Sequence, residues 1–393
     1  MDKDRERIEN LKNYVNGVFN REEGRNLYFS YKDDLDNVTP QDAFEVFNAK
    51  LQDGYMPKDI FEFLDRVINV FHSSLSEYSW ETPEENSFLD IMMRENRGLE
   101  KKLNQIRPVL LDREVRQKRG ILLRLLNELE EFDAHYLKKE NILFPYMEKK
   151  KGIFHGLTIM WSLHDEARED IANMKKIVES DRFDDNEFNI QIGRLFFTLL
   201  GIVHKEEHIL FPAAMEVIEG EEWEEMNLQS IEYGFPFIDP PAIDREGKEE
   251  LELEEFDGMT FKTDTGQLTM EQILLIFNAL PVDFTFVDED NKVRYFSNPK
   301  DRLFPRSPAV IGRDVNMCHP AESVHLVEEI VDAFRTGKED SASFWINLRG
   351  RMILIQYFAL RDSSGNYKGV LEASQDITEI RELEGERRLL EWE

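Results

Sequence analysis

Two stretches of this chain end in the same four residues. HYLKKENILFP begins at His135 and HKEEHILFP begins at His204, and each sets histidine and glutamate on the turn ahead of Ile-Leu-Phe-Pro. Aligned on that tail, Lys139 pairs with Glu206, Glu140 with Glu207 and Asn141 with His208. Two similar helix ends are what a pseudo-symmetric helical bundle supplies.

The surrounding pattern agrees. To about residue 230, apolar residues recur every three or four positions, the period of an amphipathic helix. Residues 1–80 read as several short helices, broken at Thr39-Pro40 and Met56-Pro57 because proline fits the first turn of a helix but not its interior. Four longer helices are predicted at about 84–107, 113–140, 156–179 and 187–210, an up-down bundle within 84–225. An acidic linker is expected over 226–268, where Pro240-Pro241 and the Glu249–Glu255 run lie. From about 270 the period shortens. A helix at 269–279 leads to strands at 283–288 and 293–296, and three more strands are predicted at 342–348, 352–360 and 367–375. The expected fold is multidomain: an all-α N-terminal region with a four-helix bundle, then an α+β domain over 269–393 with an antiparallel sheet.

At 393 residues the chain exceeds one ordinary core, and its 41% hydrophobic content is enough to build two or three. A formal charge of −31 argues against nucleic acid and anionic membrane surfaces as partners. The charged opening MDKDRERIEN is unlike a secretory leader, and the single cysteine, Cys318, suits a reducing cytoplasm.

Helical-wheel geometry then selects polar residues that face inward. His164 lies in line with Leu157, Met160, Trp161, Ala167 and Ile171. Glu207 sits between Val203 and Leu210 on an apolar stripe that includes Leu200, and His204 and His208 share a neighbouring stripe. Glu140 aligns with Phe132, Tyr136 and Leu143, with His135 five residues before it on another side of that stripe. Burying such groups unpaired costs several kcal/mol each, a cost that metal ligation removes. His72 and His155 fall outside the set. In the C-terminal domain Cys318-His319-Pro320 and His325 are the distinctive reactive residues, with haem ligation a minor alternative. Phe284, Phe286, Tyr295, Phe296, Phe344, Trp345 and Tyr357 read as sheet and core packing.

HYLKKENILFPYMEK, MWSLHDEAR and KEEHILFPAAM, with Glu222-Trp223 behind them, resemble hemerythrin-like (HHE cation-binding) domains. The chain most resembles the branch with an N-terminal helical domain of unknown function and a C-terminal PAS domain; FSNPKDRLFPRSPAVIGRDVNMCHP and the Asp376-Ile377-Thr378 ending resemble its PAS module. The resemblance implies a non-haem di-iron centre held by His135, Glu140, His164, Glu207 and His204 or His208. The first bundle helix has no histidine, so Asp90 and Glu95 are its oxygen-ligand candidates, and Lys139 stands where many hemerythrins have glutamate. The function so implied is a cytoplasmic, non-enzymatic sensor of oxygen, nitric oxide or another small redox molecule. It would signal through the PAS domain, whose ligand is unknown, to an unidentified signalling protein, with a homodimer formed through the PAS domain. A di-iron enzyme acting on peroxide or nitric oxide, and a metal-free interaction scaffold, are the alternatives.

Overall fold

The computed structural model describes residues 2–110, 119–243, 260–299, 302–348 and 350–385, which fall into two compact units, Met1–Asp244 and Arg245–Glu393. Among the described residues no helix is long and apolar enough to cross a membrane.

The first unit is entirely helical. Helices α1 (Asp2–Phe19), α2 (Gly24–Ser30), α3 (Lys32–Leu35), α4 (Pro40–Gln52) and α5 (Pro57–Glu77) precede the bundle. Both predicted breaks are helix starts with proline in the first turn, and the Thr39 hydroxyl accepts from the Asp42 N–H while the Asp42 carboxylate accepts from the Thr39 N–H. On α5, Ile60, Phe63, Leu64, Val67, Ile68, Phe71 and Leu75 form one buried stripe, and the helix packs on α10 (Leu157–Glu179). The N-terminal helices and the bundle therefore share one core.

The first bundle helix is α6 (Phe88–Leu110). The second is composite: α7 (Arg119–Glu130) and α8 (Asp133–Lys138), a π turn over Lys139–Leu143, then α9 (Phe144–Lys150). Positions 113–118 of its predicted span lie outside the described residues. The third is α10. The fourth is α11 (Asp185–Lys205), capped by the Asp184 carboxylate, which accepts from the Asn186 and Glu187 N–H groups; a π turn over Glu206–Leu210 and α12 (Phe211–Met215) complete it. The start of the expected linker is ordered instead: α13 covers Gly220–Ser230, and Gly234 and Phe237 lie on the bundle. Phe237 has φ of 63° and stacks on Phe132 at 5.8 Å. Gly98 makes room for it, since a Cβ there would stand 2.7 Å from the Phe237 Cβ. The Glu249–Glu255 run lies outside the described residues.

In the second unit a hairpin, β1 (Thr260–Thr263) with β2 (Gly266–Thr269), leads into α14 (Met270–Ala279). Strands β3 (Asp283–Asp288), β4 (Val293–Phe296), β5 (Ser341–Leu348), β6 (Arg351–Arg361) and β7 (Tyr367–Asp376) form one antiparallel sheet in the order β4-β3-β7-β6-β5. Helix α15 (Ala321–Thr336) packs on it through Val331 and Phe334 against Val370. Edge strand β5 departs from the expectation of buried aromatics: Trp345 is 69% exposed, with Phe344 and Ile346 also in solvent. After β7 the chain makes a short 3-10 turn at Ile380–Glu382; residues 386–393 lie outside the described set.

Candidate functional site

The repeated ILFP tails produce repeated backbone. In each, the N–H of the phenylalanine bonds five residues back: Phe144 to the Lys139 carbonyl and Phe211 to the Glu206 carbonyl. The next residue, Pro145 or Pro212, has no N–H to give, and its ring would strike the carbonyl four residues earlier in a regular α-helix. Widening the turn by one residue relieves that clash, and such π turns occur frequently at functional sites.

These turns place a polar cluster in the bundle interior. Glu95 from α6, His135 and Lys138 from α8, Lys139 and Glu140 from the first π turn, His164 from α10 and Glu206 from the second are all nearly or wholly shielded from solvent. The His135 ring lies between two carboxyl groups, with Nδ1 2.8 Å from Glu95 Oε2 and Nε2 3.0 Å from Glu206 Oε2. Lys138 donates to the other Glu95 oxygen and to the Gly234 carbonyl at 3.0 Å, and Lys139 donates to the other Glu206 oxygen. Asn96 Nδ2 donates to Glu206 Oε2 at 2.9 Å. A second group adjoins it: His164 Nδ1 is 2.8 Å from Glu140 Oε1, and Arg168 donates to Glu140 Oε2 at 3.0 Å and to Asp133 at 2.7 Å. Tyr136 stacks on the His164 ring, 4.4 Å between centroids.

Burial dominates the electrostatics. It pushes Glu95 and Glu140 up to about 7, with Lys138 and Arg168 respectively pulling back. It holds Lys138 below the usual ammonium range and Lys139 well below it, and it drives His135 and His164 well below the usual imidazole range, with Lys139 adding to both. Both imidazoles are therefore neutral at pH 7. A neutral imidazole has one N–H and cannot donate to two carboxylates, so the Glu95–His135–Glu206 chain needs one further proton, and the raised Glu95 is the group to carry it.

This donor set does not fit a di-iron centre. Each oxygen of Glu95, Glu140 and Glu206 is already engaged in a side-chain hydrogen bond, and Lys138, Lys139 and Arg168 each face one of the three carboxyl groups. Among the described residues no group of three or more His, Cys, Asp or Glu side chains is arranged to hold a metal ion. Among the described residues, His164 Nε2 is a buried imidazole nitrogen without a partner, and the Tyr136 hydroxyl beside it is likewise unpartnered.

The candidates thus divide. His135, Glu140, His164 and Glu95 enter the cluster. Asp90 does not; its carboxylate accepts from the Asn86 N–H at 2.9 Å at the start of α6. Glu207 is half-exposed and Glu206 takes the inward position, because the buried stripe of α11 runs through Ile192, Leu195, Leu199 and Ile202 and continues to 206, whereas Leu200 is only partly covered. His204 and His208 sit on the flank, where His204 Nε2 is 2.9 Å from Nδ1 of His72 and the His204 and His208 rings are 4.5 Å apart. His155 is exposed. Glu206, Lys138, Asn96 and Arg168 are not among the candidates the sequence offers, and Lys139 stands there only as a departure from the family's glutamate. The signal for the central pair was visible: the aligned tails set Lys139 against Glu206, opposite charges at equivalent positions.

The second unit has a cavity of about 530 Å³ between α15 and strands β5 and β6, lined by His319, Leu326, Ile330, Phe344, Ile355 and Tyr357 among others. Burial lowers His319, and Arg306 pairs with Glu372 at 3.0 Å. Cys318 packs against the Val287, Val293 and Val310 cluster, and His325 is exposed.

Residues 87–214 match the hemerythrin HHE cation binding domain family, and residues 273–378 match a PAS domain family. No curated protein matches the chain. Among solved structures, the C-terminal domain of a Streptococcus mutans protein is 33% identical over 32% of this chain and 98% of its own, with a TM-score of 0.31. The PAS domain of a Colwellia psychrerythraea protein is 20% identical over 28% of this chain and 98% of its own, TM-score 0.23. A sensory box sensor histidine kinase from Vibrio cholerae is 14% identical over 28% of this chain and 92% of its own, TM-score 0.22.

Proposed function

Because this chain joins a hemerythrin HHE domain to a C-terminal PAS domain, we propose that it is a cytoplasmic, non-enzymatic signalling protein in which the helical unit senses and the PAS domain relays to a protein partner. The observation that carries this reading is the presence of both domains in one chain. The bundle interior supports it. A buried chain of acid, imidazole and ammonium groups whose full pairing depends on one proton at Glu95 is a two-state element, and a ligand acts on such an element through its different affinity for the two states. Among the described residues, His164 Nε2 beside Tyr136 is a buried imidazole nitrogen without a hydrogen-bond partner, a group whose pairing would differ between two such states. At the output end, the exposed Phe344–Ile346 segment on an edge strand suits pairing with a second copy or with the partner. The test is hydrogen exchange on the full chain under argon, oxygen and nitric oxide. Altered protection around 135–164 together with altered protection in 273–378 is expected. Identical exchange under all three gases would sink the reading.

A further inference from the structure

Burying a carboxylate without a counter-charge costs several kcal/mol, and three carboxyl groups converge in this bundle core. Each of them is met by a basic side chain. Two of these come from adjacent positions: Lys138 on Glu95 and Lys139 on Glu206, both ammonium groups fully shielded from solvent. Neither is a lysine whose head reaches water. Lys139 comes from the first repeat and its partner from the equivalent position of the second. The ammonium therefore spans the pseudo-symmetric pair, where two glutamates at equivalent positions would require a shared cation. Lys138 is fixed further by the Gly234 carbonyl at 3.0 Å and by the Phe235 ring 4.9 Å away.

We propose that the Lys138 and Lys139 ammonium groups take the structural role of the cation in this HHE fold, so that the bundle closes without a bound metal. The inference depends on the bundle geometry and not on the signalling role, which could fail while this stands. It makes the site convertible: Lys139→Glu gives the first repeat the Lys-Glu-Glu of the second and leaves a pair of facing carboxyl groups that need a cation or a shared proton between them.

The experiment uses full-length chain purified without an affinity metal column. Elemental analysis is combined with thermal midpoints in EDTA and in added ferrous, manganous or zinc ion. For the native chain, substoichiometric metal and a midpoint unmoved by chelator or metal are expected. For K139E, a lower midpoint in EDTA that divalent metal raises is expected. Stoichiometric metal retained through EDTA dialysis by the native chain, or a folded K139E indifferent to metal, would overturn the proposal. Should K139E fail to fold, K139M, E206Q and their double variant decide it. A double variant more stable than either single supports a structural cation at 139, and additive losses refute it.

Discussion

The two π turns share a backbone and differ in what surrounds them. In the first, Lys139, Glu140, Ile142 and Leu143 are all buried; in the second, Glu206, Ile209 and Leu210 are buried while Glu207 and His208 reach solvent. The same four-residue tail thus dictates the local conformation in both, because the proline acts through its own geometry. Burial is set from outside, by where each helix lies in the bundle: the first turn is central, and the second leaves one side open toward His72 of α5. The lesson is that a repeated motif repeats its hydrogen bonding, not its electrostatics.

Four substitutions or conditions would break or sharpen that contrast. The largest effect is expected at the contact between the turns. Glu206→Lys sets a cation against Lys139 and should cost about 3–5 kcal/mol, the penalty for a broken buried pair. The reversed pair K139E/E206K should recover most of it in urea unfolding; no recovery would show that the residues do not act as a pair. Next comes the comparison of equivalent carboxylates. Glu140→Gln removes the charge facing Arg168 and should cost about 2–3 kcal/mol, whereas Glu207→Gln should stay within about 0.5 kcal/mol. Equal losses would mean that the two turns are buried alike.

Acid should act on the second turn's flank. Burial holds His204 at about 4, with His208 and His72 adding to the shift, and burial also lowers His208. A depressed folded-state value means the stabilisation is complete above the unfolded value near 6.5 and is lost as pH falls toward 4. The ring is half in solvent, so about 1 kcal/mol is expected. It would be read as a smaller drop in stability between pH 7 and pH 5 for a His204→Gln variant than for the native chain. An unchanged drop would place acid sensitivity elsewhere. The smallest effects belong to the prolines. Pro145→Ala or Pro212→Ala should each change stability by no more than about 1 kcal/mol. Each should alter amide exchange at its own turn while sparing the other, and a response at both turns would show them to be mechanically coupled.

Much of this was legible beforehand. Helix and strand periods located the elements because burial on one face imposes them, and Thr39-Pro40 and Met56-Pro57 marked real helix starts. His164 and Glu95 interrupt apolar stripes and lie inside for that reason. Glu207 was misplaced because α11 carries two adjacent apolar stripes, and only packing shows that the one through Leu199 and Ile202 faces the core. Lys139 stands out in the sequence only as a departure from the glutamate of many hemerythrins, and its buried partner is not legible there. Nothing local reveals that a carboxylate from another helix waits 67 positions away.

The stack over His135 has a kinetic consequence. Phe132 lies on the His135 ring at 4.5 Å and Phe237 lies on Phe132, while Lys138 is tied to the Gly234 carbonyl. Protons and solvent therefore reach this ring from that side only when the segment around 234–237 lifts, a local opening with its own free energy. The response time of the core is then set by how often a short stretch of chain comes away, a rate that Gly98→Ala, by crowding Phe237, should quicken.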